Sequence, residues 1–164
     1  MSPAHLDTAE SYVGTKEATG HNDGPAVSRF LRSVGLPEGY SWCAAFVSYC
    51  LSAVHAASPA TRSARALAFY GKGSHKAADV VTGKYKPRAG DIVIFRRGVT
   101  AYGHVGFVVW YKSPTMIETV EGNTSPNAAS IEQDLNGEGV FEKARKIEPG
   151  NYFRIIGFTN VRER

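Results

Sequence analysis

Cysteine is scarce in this chain: Cys43 and Cys50 are the only two among 164 residues. They exclude a disulfide-stapled scaffold, because seven positions along one helical stretch separate the Cα atoms by about 10 Å, beyond disulfide reach. Both are expected to be free thiols, with Cys50 a core residue, which fits synthesis in a reducing compartment. Long apolar runs are also missing, so no segment is expected to cross a bilayer. The opening Met1-Ser2-Pro3-Ala4-His5-Leu6-Asp7 lacks the basic and apolar regions of a secretory leader, and synthesis in the cytoplasm is expected. Neither repeats nor low-complexity sequence divide the chain, so residues 1–164 are expected to form a single domain without a separate binding module. No Cys-x-x-Cys or His-x-x-x-His pair is present to hold zinc, and no recognised nucleic-acid motif or aromatic stacking array accompanies the basic residues.

What is present suits one sizeable core: 43% hydrophobic and 21% charged residues. The net charge is +4 with a pI near 9.1. Lys72, Lys76, Lys84, Lys86, Arg88, Arg96 and Arg97 concentrate positive charge mid-chain, with Asp79 and Asp91 the only acids between them. That stretch reads either as an attraction to an anionic surface such as a cell wall or as an ordinary solvated face. Nucleic acid is not an expected partner.

Three short segments carry chemistry. In Ser41-Trp42-Cys43-Ala44-Ala45-Phe46-Val47 the cysteine opens an apolar helical stretch, with Ser41 as the expected N-cap and Phe46, Val47, Cys50, Leu51 and Val54 on one face. Cys43 then sits at the positive end of the helix dipole, where a thiolate is stabilised and its own N–H is offered to an oxyanion. In Gly103-His104-Val105-Gly106 a histidine opens an apolar strand, flanked by glycines that leave room beside the ring. His5, His21, His55 and His75 lie in contexts without such a pattern. In Met116-Ile117-Glu118-Thr119-Val120-Glu121-Gly122-Asn123 a strand would point Glu118 and Glu121 to opposite faces, so only one can approach His104. Glu121, at the strand end, is the choice; Glu118 is the expected solvent-facing charge. Asn123 is open to three roles: assisting the histidine, binding substrate, or a turn. Nucleophile, base and orienter in this order describe a cysteine hydrolase.

Helices are expected over 7–16, 26–34, from Cys43 onward, and over 62–70. Strands are expected over 91–96, 104–110, 116–121, 140–147 and 152–159. Helices first and hairpin-connected strands after make an α+β domain, with N-terminal helices packed on a C-terminal antiparallel β-sheet.

Trp42 to Val47, Pro87-Arg88-Ala89-Gly90-Asp91-Ile92-Val93, Gly103 to Gly106 and Glu121-Gly122-Asn123 together resemble the CHAP amidase/peptidase domains, relatives of the NlpC/P60 hydrolases in the papain-like superfamily. The resemblance spans roughly Gly14 to Phe158. It implies a papain-like fold, a single CHAP-like catalytic domain, and hydrolysis of peptidoglycan amide bonds with Cys43 as nucleophile, His104 as base and Glu121 as orienter. Trp42 and Asn123 are implied as substrate-binding or assisting residues. Many CHAP domains carry Gln or Asn near the cysteine as an oxyanion donor; Ser41 and Trp42 stand here, leaving the second donor unassigned. Some hold calcium in an acidic loop ahead of the cysteine, but Gly20-His21-Asn22-Asp23-Gly24 offers one carboxylate where calcium wants several oxygens. No metal or other cofactor is therefore expected.

The bond cut would be the N-acetylmuramoyl-L-alanine amide or one within the stem peptide or cross-bridge. The expected partner is the peptidoglycan substrate, with no membrane insertion and a monomeric state. Without a leader the enzyme would need release through a holin, as a phage lysin, or delivery by a secretion machine, as an antibacterial effector with an immunity protein. The alternative from a different class is a non-catalytic wall-binding module on the same fold.

Overall fold

In the computed structural model of the protein, which describes residues 1–58, 60, 62–126, 134–148 and 150–162, three helices precede a six-stranded antiparallel sheet. They are α1 (Ala4–Ser11), α2 (Pro25–Ser33) and α3 (Cys43–Ala53). The strands are β1 (His75–Lys76), β2 (Ile92–Arg97), β3 (Gly103–Ser113), β4 (Met116–Thr124), β5 (Gly139–Lys146) and β6 (Phe153–Thr159), in spatial order β1-β6-β2-β3-β4-β5. A short α4 (Ala77–Val81) and a 3₁₀ turn at Ala66–Phe69 lie between the helices and the main strands.

The sheet has an apolar core on each face, because its central strand is covered on both sides. Along β2, Ile92 and Ile94 pack toward α1–α3 with Val105, Phe107 and Val120. Val93 and Phe95 point the other way, to Val108, Ile117, Ile155, Phe158 and Val80 of α4. That is why β2 reads as an unbroken apolar run rather than an alternation. Helix α3 is buried almost all round, from Cys43 to Ser48 and again at Cys50 and Leu51. It lies between the sheet and the other two helices, so its apolar residues are not confined to the one face its spacing suggested.

Several expected boundaries move for identifiable reasons. Helix α1 ends at Ser11 rather than Lys16 because the next residues pair with β5: Gly14 N–H donates to Val140 O, Val140 N–H to Thr15 O (both 2.9 Å), and Glu17 N–H to Glu138 O at 2.7 Å. The expected helix over 62–70 is only the 3₁₀ turn, because the Ser63 hydroxyl bonds the N–H and C=O of Arg65 and holds that residue extended. Strand β1 and α4 carry too few residues to show a period.

Two glycines allow close approaches that build the site. A Cβ on Gly106 would lie 2.6 Å from Cγ of Glu121 and 2.8 Å from the Val120 carbonyl oxygen; one on Gly122 would meet the Phe46 ring at 2.8 Å. The first lets Glu121 lie flat against β3, and the second lets α3 seat directly on β4.

Candidate active site

His104 and Glu121 share one face of the sheet. His104 is in register with Phe95 across β2 and β3, and their rings lie 5.5 Å apart. Glu121 is the second residue after Thr119 on β4, and both are fully buried. His104 Nε2 and Glu121 Oε2 are 2.7 Å apart, with neither side chain exposed. Glu118 points to the other face and pairs with Lys112 at 2.8 Å, half in solvent, as the alternation along β4 requires.

The carboxylate of Glu121 is fully committed. Oε1 accepts from Thr119 Oγ1 at 2.7 Å and from Arg145 Nε at 2.9 Å; Oε2 accepts from Arg145 Nη2 at 2.6 Å and faces His104 Nε2. Burial alone would raise its pKa, but the Arg145 charge and hydrogen bonds, followed by His104, hold it well below the usual carboxylate range. An ionised carboxylate only accepts. The hydrogen between the pair therefore sits on Nε2 of His104, and the neutral ring keeps its lone pair on Nδ1.

Nδ1 is buried and has no conventional hydrogen-bond partner. The group acting on the ring from its remaining side is Cys43. Burial alone would depress the His104 pKa; the Glu121 carboxylate and the Cys43 sulfur outweigh it and raise it to about 9. Cys43 is the first residue of α3, 6% exposed, at a helix end that no side chain caps. Its N–H belongs to the first turn, whose donors have no partner within the helix. Cys50, a core residue as expected, is fully buried, and burial pushes its thiol pKa up.

Beyond Glu121 the charges continue. Arg145, on β5, also bonds Asp134 through Nη1 to Oδ2 (2.5 Å) and Nη2 to Oδ1 (3.1 Å), and Lys143 Nζ lies 2.9 Å from Asp134 Oδ1. Burial would lower the Arg145 pKa, yet Glu121 and Asp134 hold it above the ordinary arginine value. Neither Arg145 nor Asp134 emerged from the sequence. Arg145 sits in Phe141-Glu142-Lys143-Ala144-Arg145-Lys146, an alternation that reads as the exposed face of an edge strand, and only the pairing of β4 with β5 puts it on Glu121.

Trp42 and Asn123 are fully buried beside Cys43. Trp42, not Ser41, occupies the N-cap position of α3; the Ser41 hydroxyl instead donates to Asn136 Oδ1 at 3.2 Å. The Trp42 indole is fully buried, stacked on Phe30 with Nε1 donating to Glu17. Asn123, at φ 59°, accepts the Trp42 N–H on Oδ1 at 2.8 Å and donates to Gly137 O at 2.8 Å. Its amide thus ties the end of β4 to the residue before Cys43, and neither side chain faces solvent.

Cys43 opens into a cleft of about 850 Å³ walled by residues near Tyr40, Arg65, Tyr102 and Asn136. Among the described residues no three His, Cys, Asp or Glu side chains are grouped to hold a metal ion.

The CHAP domain model matches residues 35–123, more than half of the chain and the stretch that holds Cys43, His104 and Glu121. The chain belongs to the CHAP family. No curated protein matches it. CHAP domains are usually cysteine-dependent hydrolases, with amidase or peptidase activity on peptidoglycan. The matched stretch of this CHAP protein ends before Asp134 and Arg145, so the charges that hold Glu121 lie outside it.

Proposed function

We propose that this CHAP protein hydrolyses an amide bond of peptidoglycan, as an N-acetylmuramoyl-L-alanine amidase or a stem-peptide or cross-bridge endopeptidase, with Cys43, His104 and Glu121 as its catalytic triad. The observation that carries the reading is the buried chain from Glu121 through Nε2–H of His104 to Cys43, which ends at an open cleft.

The thiol proton resides on His104 Nδ1, and Sγ attacks the scissile carbonyl carbon. The oxyanion forms at the N-terminus of α3, against the Cys43 N–H. As the C–N bond breaks, Nδ1–H passes its proton to the departing amine, leaving a thioester on Cys43. Water then attacks the thioester, gives a proton to His104 and releases the acid; that proton returns to sulfur. Glu121 stabilises the imidazolium and holds the ring, without leaving its anionic form.

The natural site of action is the cell wall, reached through a holin or a secretion machine; an adjacent holin gene marks a lysin, an adjacent immunity gene an effector. The decisive experiment is digestion of purified sacculi followed by mass spectrometry of the soluble muropeptides. New amine and carboxyl ends from the wild type and none from Cys43→Ala are expected. Sacculi bound equally by both proteins without any product would favour the non-catalytic wall-binding module instead.

A further inference from the structure

An oxyanion formed at Cys43 gains most from two donors, and the polar groups just ahead of the cysteine are already engaged. The Trp42 N–H is taken by Asn123 Oδ1 at 2.8 Å, and Asn123 Nδ2 donates to Gly137 O at 2.8 Å and Asn22 Oδ1 at 3.3 Å. The Ser41 hydroxyl donates to Asn136 Oδ1 at 3.2 Å. Asn136 differs from all of these. It lines the same cleft as Ser41 and Cys43, and its Nδ2 has no acceptor among the described residues.

Asn136 precedes β5 and is exposed, yet it is fixed from two sides. Its side chain is tied through Oδ1 to Ser41, two residues before Cys43. Its backbone is tied through the next residue: Gly137 N–H donates to Asn123 O at 2.9 Å, and Gly137 O accepts from Asn123 Nδ2. Asn123 in turn holds the Trp42 N–H, so both ties end at the start of α3. A carboxamide whose oxygen is engaged keeps two N–H donors on its other branch. A donor set in place before the reaction stabilises developing charge without reorganising.

We propose that the Asn136 carboxamide is the second oxyanion donor, beside the Cys43 N–H, and that Ser41 is the positioning residue that holds it. This inference rests on the hydrolase reading above. As Sγ bonds to the carbonyl carbon, the π pair of the C=O group moves onto oxygen, which accepts from the Cys43 N–H and from Asn136 Nδ2. The pair re-forms C=O as the C–N bond breaks and His104 Nδ1–H protonates the amine. Asn136 lies outside the stretch 35–123 that the CHAP model matches.

The test compares wild type, Asn136→Ala, Asn136→Asp and Ser41→Ala in two assays: release of new amine ends from purified sacculi, and alkylation of Cys43 by iodoacetamide. Alkylation displaces iodide at a saturated carbon and builds no oxyanion, so it reads the thiolate alone. Asn136→Ala is expected to lower the saturating hydrolysis rate about 100-fold, as for loss of one oxyanion donor, with the alkylation rate and thermal midpoint unchanged. Asn136→Asp sets an acceptor against the oxyanion and falls at least as far. Ser41→Ala loses less, and adds no further loss in the Asn136→Ala background. Full hydrolysis by Asn136→Ala overturns the assignment while leaving the hydrolase reading intact. Alkylation that falls in step with hydrolysis also overturns it, because the loss then lies in the thiolate. Release of no new ends by the folded wild type overturns the hydrolase reading, and the assignment with it.

Discussion

Arg145 grips Glu121 at two points, Nε on Oε1 at 2.9 Å and Nη2 on Oε2 at 2.6 Å, and Oε2 is the same oxygen that faces His104. Glu121 is itself held, by a guanidinium 11% exposed whose other edge is fastened to Asp134. Removing the cation leaves two buried or half-buried carboxylates facing each other. Arg145→Met should therefore destabilise the fold by about 3–5 kcal/mol, the usual cost of breaking a buried pair, and lower kcat as Glu121 loses its fixed position. Arg145→Lys keeps the charge without the fork and should fall between wild type and methionine. Urea denaturation alongside kcat decides; a methionine variant as stable and active as wild type would dismiss the role.

The two thiols should behave oppositely. Cys43→Ala should abolish hydrolysis with the fold intact, since it removes the atom that forms the thioester. Cys50→Ala should cost about 1 kcal/mol of stability for the small cavity and little activity. Iodoacetamide should label Cys43 and spare Cys50, whose sulfur is closed off inside α3; peptide mapping of the labelled protein reads this directly.

The two glutamates of β4 make a control pair. Glu121→Gln should lower kcat by roughly 10- to 10⁴-fold, with the loss set by how well the amide keeps the Nε2–H tautomer. Glu118→Gln loses a surface contact to Lys112 worth at most about 1 kcal/mol and should be silent. A crippled Glu118 variant beside a healthy Glu121 variant would reverse the assignment.

Gly106→Ala tests the close approach of the strands. Its new methyl would meet Glu121 Cγ and the Val120 carbonyl well inside contact distance, so β3 or Glu121 must shift. A stability loss of about 1–3 kcal/mol is expected, together with a fall in kcat. Full activity would show that Glu121 tolerates displacement.

The pH dependence follows from His104 and Glu121. The folded pKa of His104, about 9, lies above its unfolded value near 6.5. Its contribution to stability is therefore complete below the unfolded value and lost as pH rises through about 9. Glu121 is depressed, so its contribution is present above the ordinary glutamate value and lost as pH falls through its low folded pKa. Activity should decline along an alkaline limb near pH 9, where the proton for the leaving amine is lost. Thermal melts and kcat/KM from pH 5 to 10 check both, and His104→Gln should remove the alkaline loss of stability.

Local sequence determined what local rules can reach. A helix of small and apolar residues begins at Cys43, a strand opens at His104, and alternation along β4 separates Glu118 from Glu121. Pro25 at the first position of α2 marks that helix, and the glycines flanking His104 leave room beside its ring. Tertiary structure decided where these pieces stop and what else they meet. Pairing of 14–17 with β5 cut α1 short, and burial on every side of α3 erased its amphipathic signature. Asn123 meets the Trp42 N–H because β4 ends beneath the start of α3. Arg145 became the anchor of Glu121 only when β5 paired with β4, since an arginine between Ala144 and Lys146 carries no local mark of burial. Sequence periodicity reports which face a residue takes within its own element; which charges face one another across elements depends on register, and register exists only in the assembled sheet.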